Sequence, residues 1–354
     1  VEHEEVPEII FDNFHSARIE EIRNYNDAHG ITTAPSRDNQ YLRPDHQFTI
    51  ELKSPSMLSK LFETCVNVKR TSGARSKHVA VTIVMFRGTP FVAMDVNDST
   101  FMFSTRVHTT VHLHPDFREP KFPILVIDAL DVASRLAAVT ETHQVLLYQK
   151  RTKKEELSML IQVPGVPGVI RRETVRLFAD NYEPVDFEDC EHDFTIQLRA
   201  SNLLSLCKRS AGNPESVLYL SIYSQSDERV EGRIVGDMYL VAEITDELSQ
   251  TTQVIFPMTV TAEREGGGVT LNVSEPTVTN GFDVEDIITN SKNRKFMDKF
   301  RTNMISAFLS RIDPKKMVVL RMAREQVLTM SYQHGDAVLM QMVVPPFGYV
   351  DEDE

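Results

Sequence analysis

From residue 46 onward the chain alternates between two hydrophobic spacings. In HQFTIELKSPSMLS (46–59) the apolar residues Phe48, Ile50 and Leu52 recur every second position, the period of a half-buried strand. After Ser54 the spacing changes to three and four, which predicts an amphipathic helix. HDFTIQLRASNLLS (192–205) repeats this opening in register: His46 aligns with His192, Phe48 with Phe194, Ile50 with Ile196, Leu52 with Leu198 and Leu58 with Leu204. Half of the aligned positions are identical and the rest are conservative, so the chain carries an internal duplication.

The same reading extends along the chain. Strand 47–53 and helix 55–70 lead to strands 78–86, 91–96 and 101–113. A second unit begins at PILVIDAL, with helix 128–139 and strands 144–150, 157–163 and 171–179. The acidic, Pro-containing stretch NYEPVDFEDCEHD (181–193) interrupts the pattern and reads as an interdomain connector. A third unit has strand 194–199, helix 201–211 and strands 216–224, 229–235 and 238–244. The fourth is expected to open at QVIFPMTVTAE (253–263), with strand 269–273, helix 291–311 and strands 316–323, 326–333 and 338–344. The expectation is an α+β protein of two similar domains, 46–180 and 194–354, each built from two strand–helix–strands units. Residues 1–45 form an N-terminal extension, read as an extended arm with one short helix within 16–25. Residues 274–290 form an insertion in the second domain, and the chain ends in an acidic tail.

Length suits two cores, and the composition is that of an ordinary soluble globular protein. The net charge of −13 argues against a surface that grips nucleic acid everywhere, so any such contact needs a local basic patch. One stands out: Lys292, Arg294, Lys295, Lys299 and Arg301, opposed within the window only by Asp298. No apolar run approaches membrane-spanning length. Cys65, Cys190 and Cys207 lie far apart with no C-x-x-C pair, which points to a reducing intracellular compartment. His108, His112 and His114 share one strand face, but no fourth ligand stands nearby and no metal is expected. Asp95 and Asp98 read as turn residues at a strand end. The glycines at 266–268 lack the lysine and helix of a phosphate loop and read as a hairpin turn. No nucleophile–base arrangement is identifiable, and neither an enzyme nor a cofactor is expected.

Four segments in order carry a resemblance. GTPFVAMDVNDSTFMFSTRV (88–107), VIDALDVASRLAAVTETHQVLLYQ (126–149), RLFADNYEPVDFEDCEHDFTIQL (176–198) and VLMQMVVPPFGYVDEDE (338–354) resemble successive pieces of DNA sliding clamps of the proliferating cell nuclear antigen type. The resemblance implies the DNA-clamp fold, with helices lining a ring channel around duplex DNA. It also implies a processivity factor that tethers DNA polymerase and other replication and repair proteins, in a nucleus or a viral DNA-replication compartment. A separate clamp loader and a homotrimeric ring follow from the same likeness. Carried onto this sequence, the residues facing DNA would be Lys60, Lys69, Arg70, Arg135, Lys208, Arg209, Lys292, Arg294, Lys295, Lys299 and Arg301. A pocket for partner peptides would use Met94, Val185, Phe187, Pro314, Met342, Val343, Val344 and Pro345. Subunits would join through segments 170–178 and 233–242, with Arg172, Thr174 and Arg176 on one and Asp237, Tyr239 and Val241 on the other. The extension and the insertion depart from the family pattern. They leave open a heteromeric checkpoint clamp subunit, a monomeric or dimeric viral polymerase accessory factor, or a clamp-like transcription factor. A virion structural protein of duplicated β-rich domains also stays open.

Overall fold

The computed structural model describes residues 15–31, 34–71, 77–98, 101–166, 170–179, 192–208, 216–224, 229–230, 233–234, 237–245, 251–263, 268–273, 289, 293–323, 327–335 and 338–346. In the first domain, β2 (His46–Leu52) leads into α2 (Pro55–Thr71), followed by β3 (His78–Phe86), β4 (Thr89–Asp98) and β5 (Phe101–Leu113). The second unit repeats this order with β6 (Leu125–Asp128), α3 (Ala129–Leu136), β7 (Gln144–Lys150), β8 (Lys153–Gln162) and β9 (Ile170–Phe178). Antiparallel pairing runs from β3 through β4, β5, β2, β7, β8, β9 and β6 and back to β3. The β3–β4 hairpin turns on Arg87 and Gly88, both at positive φ (49° and 74°), the two-residue turn whose twist matches the flanking strands.

The second domain contains β10 (Phe194–Arg199), α4 (Ala200–Cys207), β11 (Val217–Ser224), the two-stranded hairpin β12 (Arg229–Val230) and β13 (Arg233–Ile234), and β14 (Met238–Thr245). Then come β15 (Thr251–Glu263), β16 (Val269–Val273), β17 (Arg294–Arg301), α5 (Thr302–Leu309), β18 (Met317–Met322), β19 (Leu328–His334) and β20 (Val338–Val344). Two expectations need correction. The fourth unit opens at β17, not at 253–263: β17 pairs with β11 just as β6 pairs with β3, while β15 completes the third unit as β5 completes the first. And where β5 pairs directly with β2, the second domain inserts β16, which runs antiparallel to β15 and parallel to β10.

The domains are fused by backbone pairing. β20 lies antiparallel along the first half of β5, from Val338 opposite Val107 to Val343 opposite Met102. On the helix side of this junction Phe103, Val107, Met340 and Met342 are buried, and Phe103 meets Phe308 of α5 edge-on at 6.4 Å. On the other side the buried Arg106 donates from Nη1 to Gln341 Oε1 at 3.4 Å.

From residue 15 the N-terminal extension is built into the first domain and is not the extended arm expected. β1 (His15–Ser16) pairs with the end of β3, and α1 (Ile19–Ala28) buries Ile19 and Ile22 in the main core. Asn26, fully buried, donates to the carbonyl of Val111 at 2.8 Å. Leu42 is buried, and the Tyr41 ring stacks on His112 at 4.7 Å. The arm's polar composition concealed this docking because a few apolar residues suffice when each fills a core position. Ile22→Ala is therefore expected to cost about 2–5 kcal/mol, measured as a lower urea midpoint. An unchanged midpoint would show that the extension stands outside the folded unit.

Candidate nucleic-acid interface

Four helices lie side by side on one side of the joined sheets. α2 packs on α3 and, across the domain boundary, on α5, which in turn packs on α4. Each is held by an apolar face: Leu58, Leu61, Phe62 and Cys65 on α2, and Met304, Ile305, Phe308 and Leu309 on α5. α3 is also capped by the Asp128 carboxylate, which accepts the amides of Leu130 and Asp131 at 2.9 and 3.0 Å. Burial pushes the Cys65 thiol well above its ordinary pKa and that of Cys207 up to about 12, so neither acts as a nucleophile.

The solvent face of this row is mostly small and polar, with Ser56, Ser134, Ser205, Asn303 and Ser306 among its exposed or half-buried residues. Lys60 on α2 and Lys208 just past α4 are exposed there. Arg135 is half-buried and neutralised. Its Nε lies 3.0 Å from Asp131 Oδ1, and its Nη1 makes an ion pair with Glu173. The hydrogen bond that Arg135 donates to Asp131 raises the guanidinium's pKa, while the bond from Arg171, with Arg135 adding to it, holds the Glu173 carboxyl below the usual range. The side chains of Lys69 and Arg70, and all of Arg209 and Lys292, lie outside the described residues.

The basic cluster at 292–301 is not helical. Arg294, Lys295, Lys299 and Arg301 sit on β17, and the helix expected over 291–311 is confined to Thr302–Leu309. Phe296, Phe300 and Met304 recur every four residues, a spacing that suits a strand face and a helix face equally. Tertiary pairing decides: β17 fills the edge of β11 along its length. Alternation then buries Phe296 and Phe300 and turns Lys299 to the sheet face opposite the helices, while Lys295 sits at a bulge where the register with β11 shifts. Arg301, exposed at the N-cap of α5, stays at the rim of the helical face.

Two basic residues escaped the sequence reading. Arg199 is the N-cap of α4, and Lys53 precedes α2 with its ammonium 3.0 Å from Glu51. The duplicated segments carried the signal, since Lys53 aligns with Arg199. With Arg301, three of the four helices begin beside a cation, and α3 begins at Asp128 instead.

The expected peptide pocket is not assembled as such. Met94, Met342 and Val344 are buried in the main core on the helix side of the sheet, so they are not available to a ligand. Val343 points the other way and packs with Met102 and Val327; Pro345 is half-buried and Pro314 exposed. Val185 and Phe187 lie outside the described residues. A separate apolar group lies on the outer sheet face: Val84, Phe86, Phe91, Ala93 and Leu339, with Arg87 over the Phe86 ring at 5.3 Å. Because β3, β4 and β20 are apolar on both faces, periodicity could not say which residues point out. The three strand histidines are taken up separately. His108 lies against Phe91, His112 stacks on Tyr41 and His114 accepts the Asp116 amide, and among the described residues no metal-holding group forms.

At the ends of the sheet, Arg172, Thr174 and Arg176 are exposed on β9, whose far edge is paired only at Leu177 and Phe178. Tyr239 and Val241 lie on β14, preceded by Asp237. That strand cannot offer an edge, because β11 and β15 occupy both its sides. Two further open edges among the described residues belong instead to β15, where residues 251–257 pair with β14 alone, and to β17, which pairs only with β11.

No family model matches the sequence, and no curated protein matches it. Solved structures do. The crystal structure of the proliferating cellular nuclear antigen from Entamoeba histolytica superposes with a TM-score of 0.54 at 13% identity, covering 85% of this chain and 99% of that one. PCNA from Thermococcus kodakaraensis gives 0.54 at 10% identity, covering 84% and 99%. The fold is the α+β clamp fold. At these identities the likeness is one of fold alone, and residue roles rest on the geometry above.

That geometry separates Lys60 and Lys208 from Arg135. Lys60→Gln together with Lys208→Gln should lower affinity for duplex DNA and flatten its salt dependence by about one in the log–log slope for each lysine that meets a phosphate. Arg135→Met should leave both nearly unchanged. The reverse ranking in a salt titration would put DNA elsewhere.

Proposed function

We propose that this chain is a subunit of a sliding clamp, a ring that encircles duplex DNA and tethers a polymerase and other replication proteins to it. The observation that carries the reading is the unbroken row of four helices from two duplicated domains, with unpaired strand edges among the described residues on β9 of the first domain and on β15 of the second. A ring of this kind holds DNA by topology, so its lining needs only weak, sequence-independent contacts. The small polar helical face with basic residues at helix starts suits that role. Tethered partners then rebind at high local concentration. A separate loader would open the ring, in whatever compartment replicates the DNA.

The duplication also supplies the register of closure. Tracing paired residues outward from Ile50 gives Leu147, Met159 and Glu173; from the equivalent Ile196 it gives Leu320, Met330 and Met342. Glu173 therefore takes the place of Met342, and Arg172 that of Gln341. Tracing from Val126 gives Ala80, Asp95 and Ser104; from the equivalent Lys299 it gives Tyr219, Glu243 and Gln253. Since Gln341 faces Ser104 inside the chain, Arg172 of one copy faces Gln253 of the next. Gln253 is bonded to Glu243 at 3.3 Å, so Arg172 arrives beside a carboxylate. Three such subunits, each supplying two domains, complete a six-domain ring.

Light scattering should give three times the chain mass at low salt, falling toward the single chain as salt rises. Arg172→Glu and Glu243→Arg should each dissociate the ring, and the two together should restore it. Restored rings should remain on circular DNA and slide off linear DNA. A chain that stays monomeric at all concentrations, or single reversals without effect, would refute closure through these edges.

A further inference from the structure

A polar cavity of about 320 Å³ lies on the first domain. Its walls are Gln47 at the start of β2, the loop 114–119 after β5, and Arg151 and Lys154 at the β7–β8 turn. The walls are fixed by bonds independent of any ligand. His114 N–H donates to the Gln47 carbonyl at 3.0 Å and Phe117 N–H to the His114 carbonyl at 2.9 Å. The N-terminal extension braces both sides: Arg23 Nη2 donates to the Phe117 carbonyl at 2.7 Å, and the Arg151 amide donates to the Asp45 carbonyl at 2.9 Å. Gln149 Nε2 holds the Lys154 carbonyl at 2.9 Å.

The charges inside are not self-contained. Asp116 Oδ2 lies 3.3 Å from Arg151 Nη2 and orients that guanidinium. Arg118 and Lys154 line the same cavity with no side-chain partner among the described residues. His114 is buried, and its Nδ1 accepts the Asp116 amide at 3.1 Å, which leaves the ring proton on Nε2. Three cations against Asp116 and Glu119, in a chain of net charge −13, make this a local positive site. We propose that the cavity binds a phosphate monoester. A dianion matches two cations that have no side-chain partner among the described residues plus one held guanidinium, and charge-assisted hydrogen bonds are the strong kind. The volume exceeds that of a phosphate and leaves room for the group that carries it. This inference goes beyond the clamp reading and does not depend on it.

The test is a titration of the full-length protein with inorganic phosphate, with adenosine monophosphate and with a phosphoserine peptide, followed by calorimetry and by amide shifts of Gln47, Asp116 and Lys154. Saturable binding of a phosphate monoester is expected, and the ligand that binds tightest identifies the source. Arg118→Ala and Lys154→Ala should each weaken binding about tenfold, with the melting temperature unchanged. Asp116→Asn should weaken it less, through loss of the hold on Arg151. Absence of saturable binding by all three probes, or binding unaffected by the Arg118→Ala, Lys154→Ala double variant, would overturn the proposal whatever the oligomeric state.

Discussion

A strand edge exposes backbone donors and acceptors that must be paired, and the architecture of this chain follows from how β5 meets that demand. Its later half pairs with β2 inside its own domain, and its earlier half with β20 of the other. The same thirteen-residue strand thus closes one domain and fuses it to the second. Only because the sheets join there do α2 and α5 touch, which turns two helix pairs into one row. Phe103 against Phe308 seals the junction from the helix side, coupling strand pairing to helix packing.

The duplication and the fold class were legible because the aligned positions Phe48–Phe194 and Ile50–Ile196 are core residues whose spacing is dictated by the strand period. What failed was decided by tertiary pairing. Phe296 and Phe300 fit either spacing, and the edge of β11 made them a strand. Met94 and Met342 looked available for a ligand because both faces of their strands are apolar, so one sequence cannot tell inside from outside. Asp237, Tyr239 and Val241 lost their assigned edge to β15, the next strand along the chain, which the sequence pattern had placed at the opening of the fourth unit. Of the candidate site, the placement of Lys60 and Lys208 at exposed helix positions and of 170–178 on a strand was legible; Lys53 and Arg199 were visible only through the repeat alignment.

Among the described residues the helical face carries fewer cations than the sequence suggested, and physical chemistry gives this a sense under the proposed reading. A dense cationic lining would bind phosphates tightly and slow movement along them. Hydroxyl and amide side chains exchange hydrogen bonds with water and phosphate at little net cost in either direction. Placing cations beside the starts of α2, α4 and α5 adds attraction at the rim of that face.

The two kinds of junction differ for a reason found in the residues that occupy equivalent places. Inside the chain the helix side of the junction holds Met340 and Met342, buried and apolar, so opening it exposes hydrophobic surface and breaks the core. Under the proposed closure, the same places in a junction between copies would be held by Arg171 and Glu173, which are tied to one another and to Arg135 at the free edge. Parting that junction returns charges to water with their nearest ion pairs intact, so it loses little more than strand pairing and exposed ion pairs of small worth. On that reading the duplication is tuned in opposite directions: the junction inside the chain is made permanent by methionine and phenylalanine, and one between copies would be separable by arginine and glutamate. A ring closed through such edges would open between subunits and never within one.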